Sequence, residues 1–233
     1  MKTEAPILSL DAVSLAYYDG DAATFALRDI SLTLPEREFI GIMGPSGSGK
    51  SSLLYVLSGL KRPTSGEVAF RGRALTGLSD RAVTQVRRES FGFVFQQPWL
   101  LPWQTALENT LMGAPAADSA AEQRARERLA ELGVGHLAGK LPSQLSGGEK
   151  QRVCAARAMM NDPAVIFADE PTASLDHRNG HLVVDLLAAY RERGTVVIVT
   201  HDPEMLAGAD RVLVMRDGQA VEWVSPGELT RAF

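Results

Sequence analysis

Residues 44–51 read Gly44-Pro45-Ser46-Gly47-Ser48-Gly49-Lys50-Ser51, a glycine-rich run that ends in a lysine and a serine. This spacing is typical of a loop that holds the phosphate tail of a nucleotide. Glycines let the backbone curl with its N–H groups turned inward. Lys50 then brings a positive charge to the β- and γ-phosphates, and the Ser51 hydroxyl is a ligand for Mg²⁺. The sequence therefore predicts a nucleotide site at this loop, which we extend by one residue to Ser52.

The segments beside this loop predict a strand before it and a helix after it. Residues 38–43 form a short apolar run of the kind found in buried strands. Residues 50–60 carry apolar side chains at helical spacing, and Gly59 lies near the end of that helix. A loop at such a junction offers free backbone N–H groups and the positive end of a helix dipole to an anion.

Apolar strands that alternate with helices predict an α/β fold. Runs of strand length recur at residues 164–168, 195–199 and 211–215, with a helical stretch at residues 178–192. Strands that are apolar throughout are typical of a parallel sheet covered by helices on both faces.

The first third and the middle of the chain have a different character. Period-two alternation predicts strands at residues 7–10, 13–17 and 30–34, with a turn at Asp19-Gly20-Asp21. Glycines bound a further strand at residues 66–72. Charged segments predict helices at residues 80–89 and 118–132, the second with a capping box of Ser119 and Glu122. We interpret the middle block, roughly residues 90–160, as a helical insertion into the α/β core.

Composition and charge limit the function. Of the 233 residues, 45% are apolar and 22% charged, as in ordinary globular proteins. The formal net charge of -4 argues against an obligatory nucleic-acid binder. Cys154 is the only cysteine, which excludes an intrachain disulfide and fits a reducing compartment. Residues 1–6 lack a signal-peptide pattern and no apolar run reaches the length of a membrane span, so we expect a cytoplasmic setting and a membrane role only through a partner.

Two adjacent carboxylates follow the apolar run at residues 164–168. Ligand sites of open α/β sheets lie outside the carboxyl ends of the strands, where Asp169 and Glu170 are expected. We expect Asp169 to hold Mg²⁺ through Ser51 or a water molecule, and Glu170 to polarise the attacking water. An acidic residue after a strand is common, but the phosphate loop upstream favours this catalytic interpretation.

A second run of small residues before a predicted helix is Leu145-Ser146-Gly147-Gly148-Glu149. It also offers backbone N–H groups to an anion. A serine N-cap after Pro142 explains Ser146, but it does not explain the two glycines that follow. One nucleotide needs only one loop around its phosphates, so two such runs indicate a divided site.

Together these motifs resemble those of the ATP-binding cassette ATPases, the nucleotide-binding subunits of ABC transporters, over nearly the whole chain. Residues 145–149 are similar to the family signature, which other phosphate-loop proteins lack. The resemblance implies ATP as the nucleotide and four groups with further roles. Tyr17 stacks on adenine, with Tyr18 as its rival and a core tyrosine as the ordinary alternative. Gln96, beside Gln97, contacts Mg²⁺ or the lytic water. His201 contacts the γ-phosphate, and Ser174, Leu175 and Asp176 form a loop that crosses a dimer interface.

The resemblance also implies the architecture and the partners. The expected fold is a P-loop NTPase with a RecA-like parallel core sheet, an N-terminal antiparallel β subdomain and an inserted α-helical subdomain. Residues 1–233 are expected to form one domain, with the core and β parts at about 1–95 and 160–233 and the helical subdomain at about 96–159. Two chains are expected to pair head to tail around two ATP molecules, so that the signature of one chain caps the nucleotide on the other. The pair is expected at the cytoplasmic face of a membrane, held there by an integral-membrane permease.

An unusual apolar segment follows Gln96 and Gln97. Its two prolines, Pro98 and Pro102, enclose Trp99, Leu100 and Leu101, and Trp103 follows Pro102 directly. Aromatic side chains anchor protein interfaces. In the family that the chain resembles, this region receives a short helix of the membrane subunit, so we interpret it as the permease dock. The alternative is that both tryptophans belong to the core.

The segments at residues 93–97 and 199–204 look most like those of cassettes that serve lipoprotein release, macrolide or peptide efflux, or the cell-division complex. That likeness favours export. Two alternatives remain: a cassette ATPase outside transport, and a mechanical regulator that gates a cell-wall hydrolase without moving cargo. The transported substrate is not encoded in these motifs, because they all concern the chemistry of ATP.

Overall fold

Ten strands and six α-helices are present in the described part of the chain, which in this computed structural model comprises residues 6–20, 22–116 and 118–229. The strands are β1 (Leu8–Asp19), β2 (Ala22–Leu34), β3 (Phe39–Met43), β4 (Ser65–Phe70), β5 (Arg73–Ala74), β6 (Phe91–Val94), β7 (Val165–Asp169), β8 (Thr195–Val199), β9 (Arg211–Arg216) and β10 (Gln219–Val224). The helices are α1 (Lys50–Leu57), α2 (Asp80–Ser90), α3 (Ala106–Leu111), α4 (Ser119–Glu131), α5 (Gly147–Ala158) and α6 (His177–Ala188). The N-terminal residues 1–5, predicted to lack a signal peptide, and Asp21 of the predicted turn lie outside the described residues.

The chain divides into two units. The first unit is Met1–Arg87 with Val197–Phe233, and the second unit is Arg88–Val196. The range predicted for the helical subdomain, about residues 96–159, lies within the second unit. Its described residues form α3, α4, α5 and short 3-10 turns, and none of them lies in a strand.

The first unit contains a four-stranded antiparallel sheet with strand order β2-β1-β4-β5. The segments predicted as two strands at residues 7–10 and 13–17 form one strand, β1, with a register shift beside Ala12, which has a φ of 48°. A second set of strands runs in the order β10-β9-β3, with β3 and β9 parallel and β9 and β10 an antiparallel pair. All five residues of β3 are buried, as expected for a strand covered on both faces.

In the second unit, β6 and β7 pair in parallel, with Phe91 opposite Val165. Every residue of β7 is buried. Buried parallel strands in both units, with helices after β3, β6 and β7, confirm the α/β prediction. Gly92 permits a close approach here, because a Cβ at this position would lie 2.4 Å from the carbonyl oxygen of Ala158 on α5.

Two further local details differ from the sequence prediction. The predicted capping box of Ser119 and Glu122 is wrong, because Asp118 is the N-cap of α4 and its side chain accepts a hydrogen bond from the Ala121 N–H at 2.7 Å. The helix predicted to reach residue 192 ends as an α-helix at Ala188 and continues as a 3-10 turn, Ala189–Glu192. Within the described ranges, no helix is both long enough and apolar enough to cross a bilayer.

Candidate functional site

The phosphate loop leaves β3 through a backbone path that only glycine allows. A Cβ on Gly44 would lie 2.2 Å from the carbonyl oxygen of Met215. Gly49 has a φ of 95°, and a Cβ there would lie 2.4 Å from the carbonyl oxygen of Ala26. The Gly218 N–H donates to the carbonyl oxygen of Ser48 at 3.1 Å. The loop is therefore held from outside by β2 and by the turn between β9 and β10.

The polar groups of this loop suit an anion. Lys50 is 8% exposed, and its Nζ donates to the carbonyl oxygens of Gly44 and Pro45, both at 2.9 Å. The Ser48 Oγ is buried and makes no hydrogen bond within the described part of the chain. Gly49 caps α1 without a side-chain hydrogen bond, so the first N–H groups of the helix are left for a ligand. A buried hydroxyl, a buried ammonium group and an uncapped helix start fit a phosphate group.

His201 lies next to the strand that feeds the phosphate loop. It follows β8 by two residues, and the N–H of Thr200 donates to the carbonyl oxygen of Ile42 on β3 at 3.2 Å. The Thr200 Oγ1 in turn accepts from the Asp202 N–H at 3.1 Å. The first unit thus brings exposed His201 and the phosphate loop to the ends of neighbouring strands.

The structure distinguishes the two candidate tyrosines. Tyr17 and Tyr18 are adjacent on β1, so their side chains point to opposite faces of the sheet. Lys61 contacts the Tyr17 ring, and the side chains of Lys61 and of Ser52 on α1 are the polar neighbours of its phenol. The hydrogen bond from Lys61, with a smaller contribution from Ser52, lowers the pKa of Tyr17 against the opposing effect of partial burial. Tyr17 is therefore the tyrosine on the side of the phosphate-loop helix.

The acidic pair stands at the end of β7 in the second unit. Asp169 is the last residue of the strand and is buried. Glu170 is half-buried and has a φ of 47°, in the left-handed region that few non-glycine residues adopt. Its carbonyl oxygen accepts from the Ala173 N–H at 3.2 Å. The chain therefore turns sharply at the residue predicted to be the catalytic base, and such strain is frequent at functional sites.

A buried glutamine that the sequence analysis missed connects three parts of the second unit. Gln151 on α5 is 2% exposed. Its Nε2 donates to the carbonyl oxygen of Phe95 at 2.9 Å, of Gln96 at 3.3 Å and of Pro171 at 2.8 Å. Through Gln151, α5 is thus hydrogen-bonded to the backbone of Gln96 and to that of Pro171, the residue after Glu170.

The signature segment forms the N-terminus of α5. Ser146 is the N-cap, and its Oγ accepts from the Glu149 N–H at 3.3 Å while its own N–H donates to Glu149 Oε2 at 2.7 Å. This backbone hydrogen bond lowers the pKa of Glu149. Leu145 is buried, whereas Ser146 and Gly147 are exposed. The ordinary N-cap interpretation of Ser146 is therefore correct, and the exposed glycine beside it leaves the helix start accessible.

The predicted dimer loop packs against this helix start. A Cβ on Gly147 would lie 3.2 Å from Leu175, and one on Gly148 would lie 3.0 Å from Oδ1 of Asn179 on α6. Asp176 is the N-cap of α6 and accepts from the N–H of Asn179 at 3.0 Å. Hydrogen bonds, first from the Asn179 side chain, lower the pKa of Asp176. Ser174 is exposed beside them. The second unit thus places the predicted signature and dimer loop together.

The tryptophan loop, residues 98–105, presents its two tryptophans to solvent. Trp99 is 66% exposed and Trp103 is 72% exposed, so the core alternative for them is wrong. Leu100 and Leu101 are half-buried. Buried Asn109 holds the backbone, because its Nδ2 donates to the carbonyl oxygens of residues 101, 104 and 105 and its Oδ1 accepts from the Leu101 N–H at 2.7 Å. The carbonyl oxygen of Trp99 accepts from Arg157 at 2.6 Å.

The predicted site residues thus fall into two sets. The first unit holds Tyr17, residues 44–52 and His201, and the second holds Gln96, Asp169, Glu170, residues 145–149 and residues 174–176. Sequence reasoning missed Lys61, Asn109 and Gln151, which have no motif spacing that singles them out. The burial of Asn109 and Gln151 and the contact of Lys61 with an aromatic ring are visible only in the three-dimensional structure.

The chain is similar in sequence to proteins of one known family. The sequence profile of the ABC transporter family matches residues 27–173. The macrolide export ATP-binding/permease protein MacB 1/2 of Paracoccus denitrificans is 45% identical over 226 residues, which cover 94% of this chain and 34% of that protein. The chain thus spans about a third of the length of this relative. An uncharacterized ABC transporter ATP-binding protein of Methanocaldococcus jannaschii is 43% identical over 213 residues, which cover 90% of this chain and 95% of that protein.

A solved structure resembles the fold closely. The dimeric post-hydrolysis state of the ATP-binding cassette MJ0796, bound to ADP and Pi, superposes with a TM-score of 0.86 at 38% identity. The match covers 94% of this chain and 98% of that chain. This likeness confirms the predicted cassette fold of a P-loop NTPase with its antiparallel and helical subdomains.

Proposed function

We propose that this chain, which belongs to the ABC transporter family and is an ATPase, drives a separate integral-membrane permease through ATP-dependent closure of a dimer. The proposed task is export of a lipoprotein, a peptide or a drug-like molecule. The observation that carries the coupling to a permease is the tryptophan loop, where two exposed tryptophans stand on a hydrogen-bonded backbone. The MacB relatives, named as ATP-binding/permease proteins, support a membrane partner.

In the proposed nucleotide site, ATP lies on the phosphate loop and its adenine stacks on Tyr17. Lys50 exchanges the carbonyl oxygens of its own loop for the β- and γ-phosphates. Ser51 and Asp169 would hold Mg²⁺, since hydroxyl and carboxylate oxygens are the ligands that this ion prefers. When bound, the ion would neutralise charge on the phosphate oxygens. The buried Ser48 hydroxyl and the uncapped start of α1 support this assignment.

The proposed catalytic groups position water and stabilise charge. Glu170 takes the proton of the attacking water, Gln96 orients that water, and His201 contacts the γ-phosphate. Phosphoryl transfer depends mainly on such positioning and charge stabilisation. The left-handed backbone at Glu170 supports the assignment, because strain of this kind collects where a side chain must be aimed.

The second phosphate-binding run acts in trans in this proposal. Two chains pair head to tail, and the exposed start of α5 in one chain caps the ATP held by Lys50 of the other. The tail of ATP then joins two helix N-termini, and hydrolysis releases them. The dimeric state of the MJ0796 cassette with ADP and Pi supports this pairing. The dimer would sit at the cytoplasmic face of the membrane, held there by the permease.

A glutamine variant tests the catalytic assignment. Glu170→Gln removes the proton acceptor at constant size, so we expect ATP binding to persist while turnover falls by about 10²-fold or more. Light scattering should then detect an ATP-dependent dimer. Lys50→Ala is the control that loses ATP binding itself. Undiminished turnover in Glu170→Gln would remove this residue as the base.

Mixed dimers test the division of the site. A Lys50→Ala chain and a Ser146→Tyr chain are each expected to form inactive homodimers. A mixed dimer retains one unmutated composite site, so activity should return in part on mixing. If mixing restores no activity although the mixed dimers form, the trans arrangement is wrong.

Tryptophan variants test the permease dock. Trp99→Ala with Trp103→Ala should retain the ATPase activity of the isolated chain and lose its stimulation by the permease purified in detergent. Trp223→Ala is a matched control, because this tryptophan is also exposed and belongs to β10, outside the tryptophan loop in sequence. Intact stimulation of the folded double variant would contradict the dock and leave the ATPase assignment standing.

A further inference from the structure

A lysine covers one face of the tyrosine that we assign to adenine. The Nζ of Lys61 lies 3.8 Å from the centroid of the Tyr17 ring, well within the range of about 6 Å for a cation–π contact. Tyr17 is nevertheless 45% exposed. A single ammonium group can cover only one ring face, so exposed aromatic surface remains for another group.

The position of this ammonium group is fixed by the phosphate-loop helix. The N–H of Lys61 donates to the carbonyl oxygen of Tyr55 on α1 at 2.9 Å, just after the chain turns at Gly59 with a φ of 64°. Lys61 and, more weakly, Ser52 in the first turn of α1 lower the pKa of the Tyr17 phenol, so both side chains lie beside this residue. The ring is thus contacted by one group in the first turn of the phosphate-loop helix and by one group beyond the end of that helix.

The two neighbouring cations, Lys50 and Arg62, form hydrogen bonds with other groups. Lys50 is buried against the loop carbonyls. Arg62, the next residue, donates to Asp80 Oδ1 at 2.8 Å and to the carbonyl oxygen of Leu78 at 2.6 Å. Of these three cations, Lys61 is the one that contacts the Tyr17 ring.

We propose that Lys61 is a positioning residue for the nucleotide base: its ammonium group fixes the Tyr17 ring from one face and leaves the other face for adenine. This inference rests on the assignment of Tyr17 in the proposed function. Stacking of a base on an aromatic side chain strengthens binding, because every base offers a π face. A ring held in place by Lys61 and Ser52 loses less side-chain freedom when the base binds. The effect is confined to the base, because the phosphates are bound elsewhere on the loop.

Calorimetry with two ligands tests this inference on the whole chain. The ligands are ATP and inorganic tripolyphosphate, which has no base, at equal Mg²⁺ concentration. Lys61→Met keeps the length of the side chain and removes its charge. We expect it to weaken ATP binding about 3- to 10-fold and to leave tripolyphosphate binding unchanged. Lys61→Arg, which restores a cation over the ring, should recover most of the affinity for ATP.

Tyr17→Leu separates this inference from the assignment on which it rests. In the Tyr17→Leu background, Lys61→Met should have no further effect on ATP. If Tyr17→Leu leaves ATP affinity unchanged, the adenine assignment itself fails. If Tyr17→Leu weakens ATP binding but Lys61→Met does not, only the role of Lys61 fails. Equal weakening of both ligands by Lys61→Met, or tighter ATP binding, would likewise overturn that role, since the lysine would then act on phosphate or obstruct the ring.

Discussion

Replacement of Gln151 by leucine should destabilise the protein strongly, although the two side chains have similar volumes. Gln151 is 2% exposed, and its Nε2 donates to the carbonyl oxygens of Phe95, Gln96 and Pro171. Leucine fills much of the same space, so the main loss is hydrogen bonding and not packing. The variant thus isolates the contribution of this buried amide.

The magnitude follows from the three acceptors. An amide has two N–H groups, so the contacts amount to two full hydrogen bonds, and the contact with Gln96 at 3.3 Å is the weakest. The hydrogen bond to Pro171 is buried, and a buried acceptor without a donor costs about 1–3 kcal/mol. The Phe95 carbonyl is only partly buried, so we assign it about 1 kcal/mol. The Oε1 of Gln151 is buried and has no hydrogen-bond partner among the described residues, so its removal returns about 1 kcal/mol. The expected net loss in the free energy of unfolding is therefore about 1–3 kcal/mol, a large share of the total for a domain.

Urea denaturation without nucleotide, followed by circular dichroism, measures this loss. Gln123→Leu on α4 is the matched control, because it makes the same change in an exposed side chain that donates to Glu127 at 2.9 Å. The control should change stability by less than about 0.5 kcal/mol. A loss below about 1 kcal/mol in Gln151→Leu, or a loss equal to that of the control, would show that the hydrogen bonds of Gln151 do not stabilise the fold.

Three further predictions concern single residues. Gly49→Ala should cost at least about 2 kcal/mol in urea denaturation, because its Cβ meets the Ala26 carbonyl oxygen, whereas Gly47→Ala, with open space around its Cβ, should cost only about 1 kcal/mol; equal losses would contradict the steric argument. Asn109→Leu should speed limited proteolysis within the tryptophan loop, since the carbonyl oxygens of that loop lose their shared donor, and an unchanged cleavage rate would count against that role. Burial raises the pKa of the Cys154 thiol from 9.0 to about 11, so a thiol reagent at pH 8 should react only with unfolded chains. Because the native thiol keeps its proton longer, stability relative to Cys154→Ala should fall as pH rises from about 9 to about 11; fast labelling of the native protein would contradict both expectations.

The sequence predicted well those elements whose signal is local. The apolar run, the glycines and the helical spacing around residues 39–57 are contiguous, and they become β3, the phosphate loop and α1. The serine and glycines at residues 146–148 likewise determine a helix start without help from distant residues. The capping residue of α4 was misplaced by one position, because Asp118 and Ser119 are both good N-caps and only the backbone conformation selects between them.

Long-range contacts explain what the sequence could not predict. Gln151 finds its acceptors 56 and 20 residues away, and no spacing rule connects these positions. From the sequence alone, Trp99 and Trp103 could belong either to a core or to an interface. The conformation of their loop is held by Asn109, whose side chain donates to the carbonyl oxygens of residues 101 and 104. Tyr17 and Tyr18 were likewise indistinguishable until the strand assigned them to opposite faces.

The capping box at the signature has a consequence for the direction of hydrogen bonding. The Ser146 Oγ already accepts a hydrogen bond from the Glu149 N–H, so its hydroxyl proton is available for donation to another group. A phosphate oxygen can only accept, which makes it the matching group. Aspartate caps a helix as well as serine does, yet it has no proton to donate and would repel the ligand. In the proposed composite site, position 146 therefore requires a residue that can donate a hydrogen bond to phosphate. Helix capping alone would accept aspartate at this position as well.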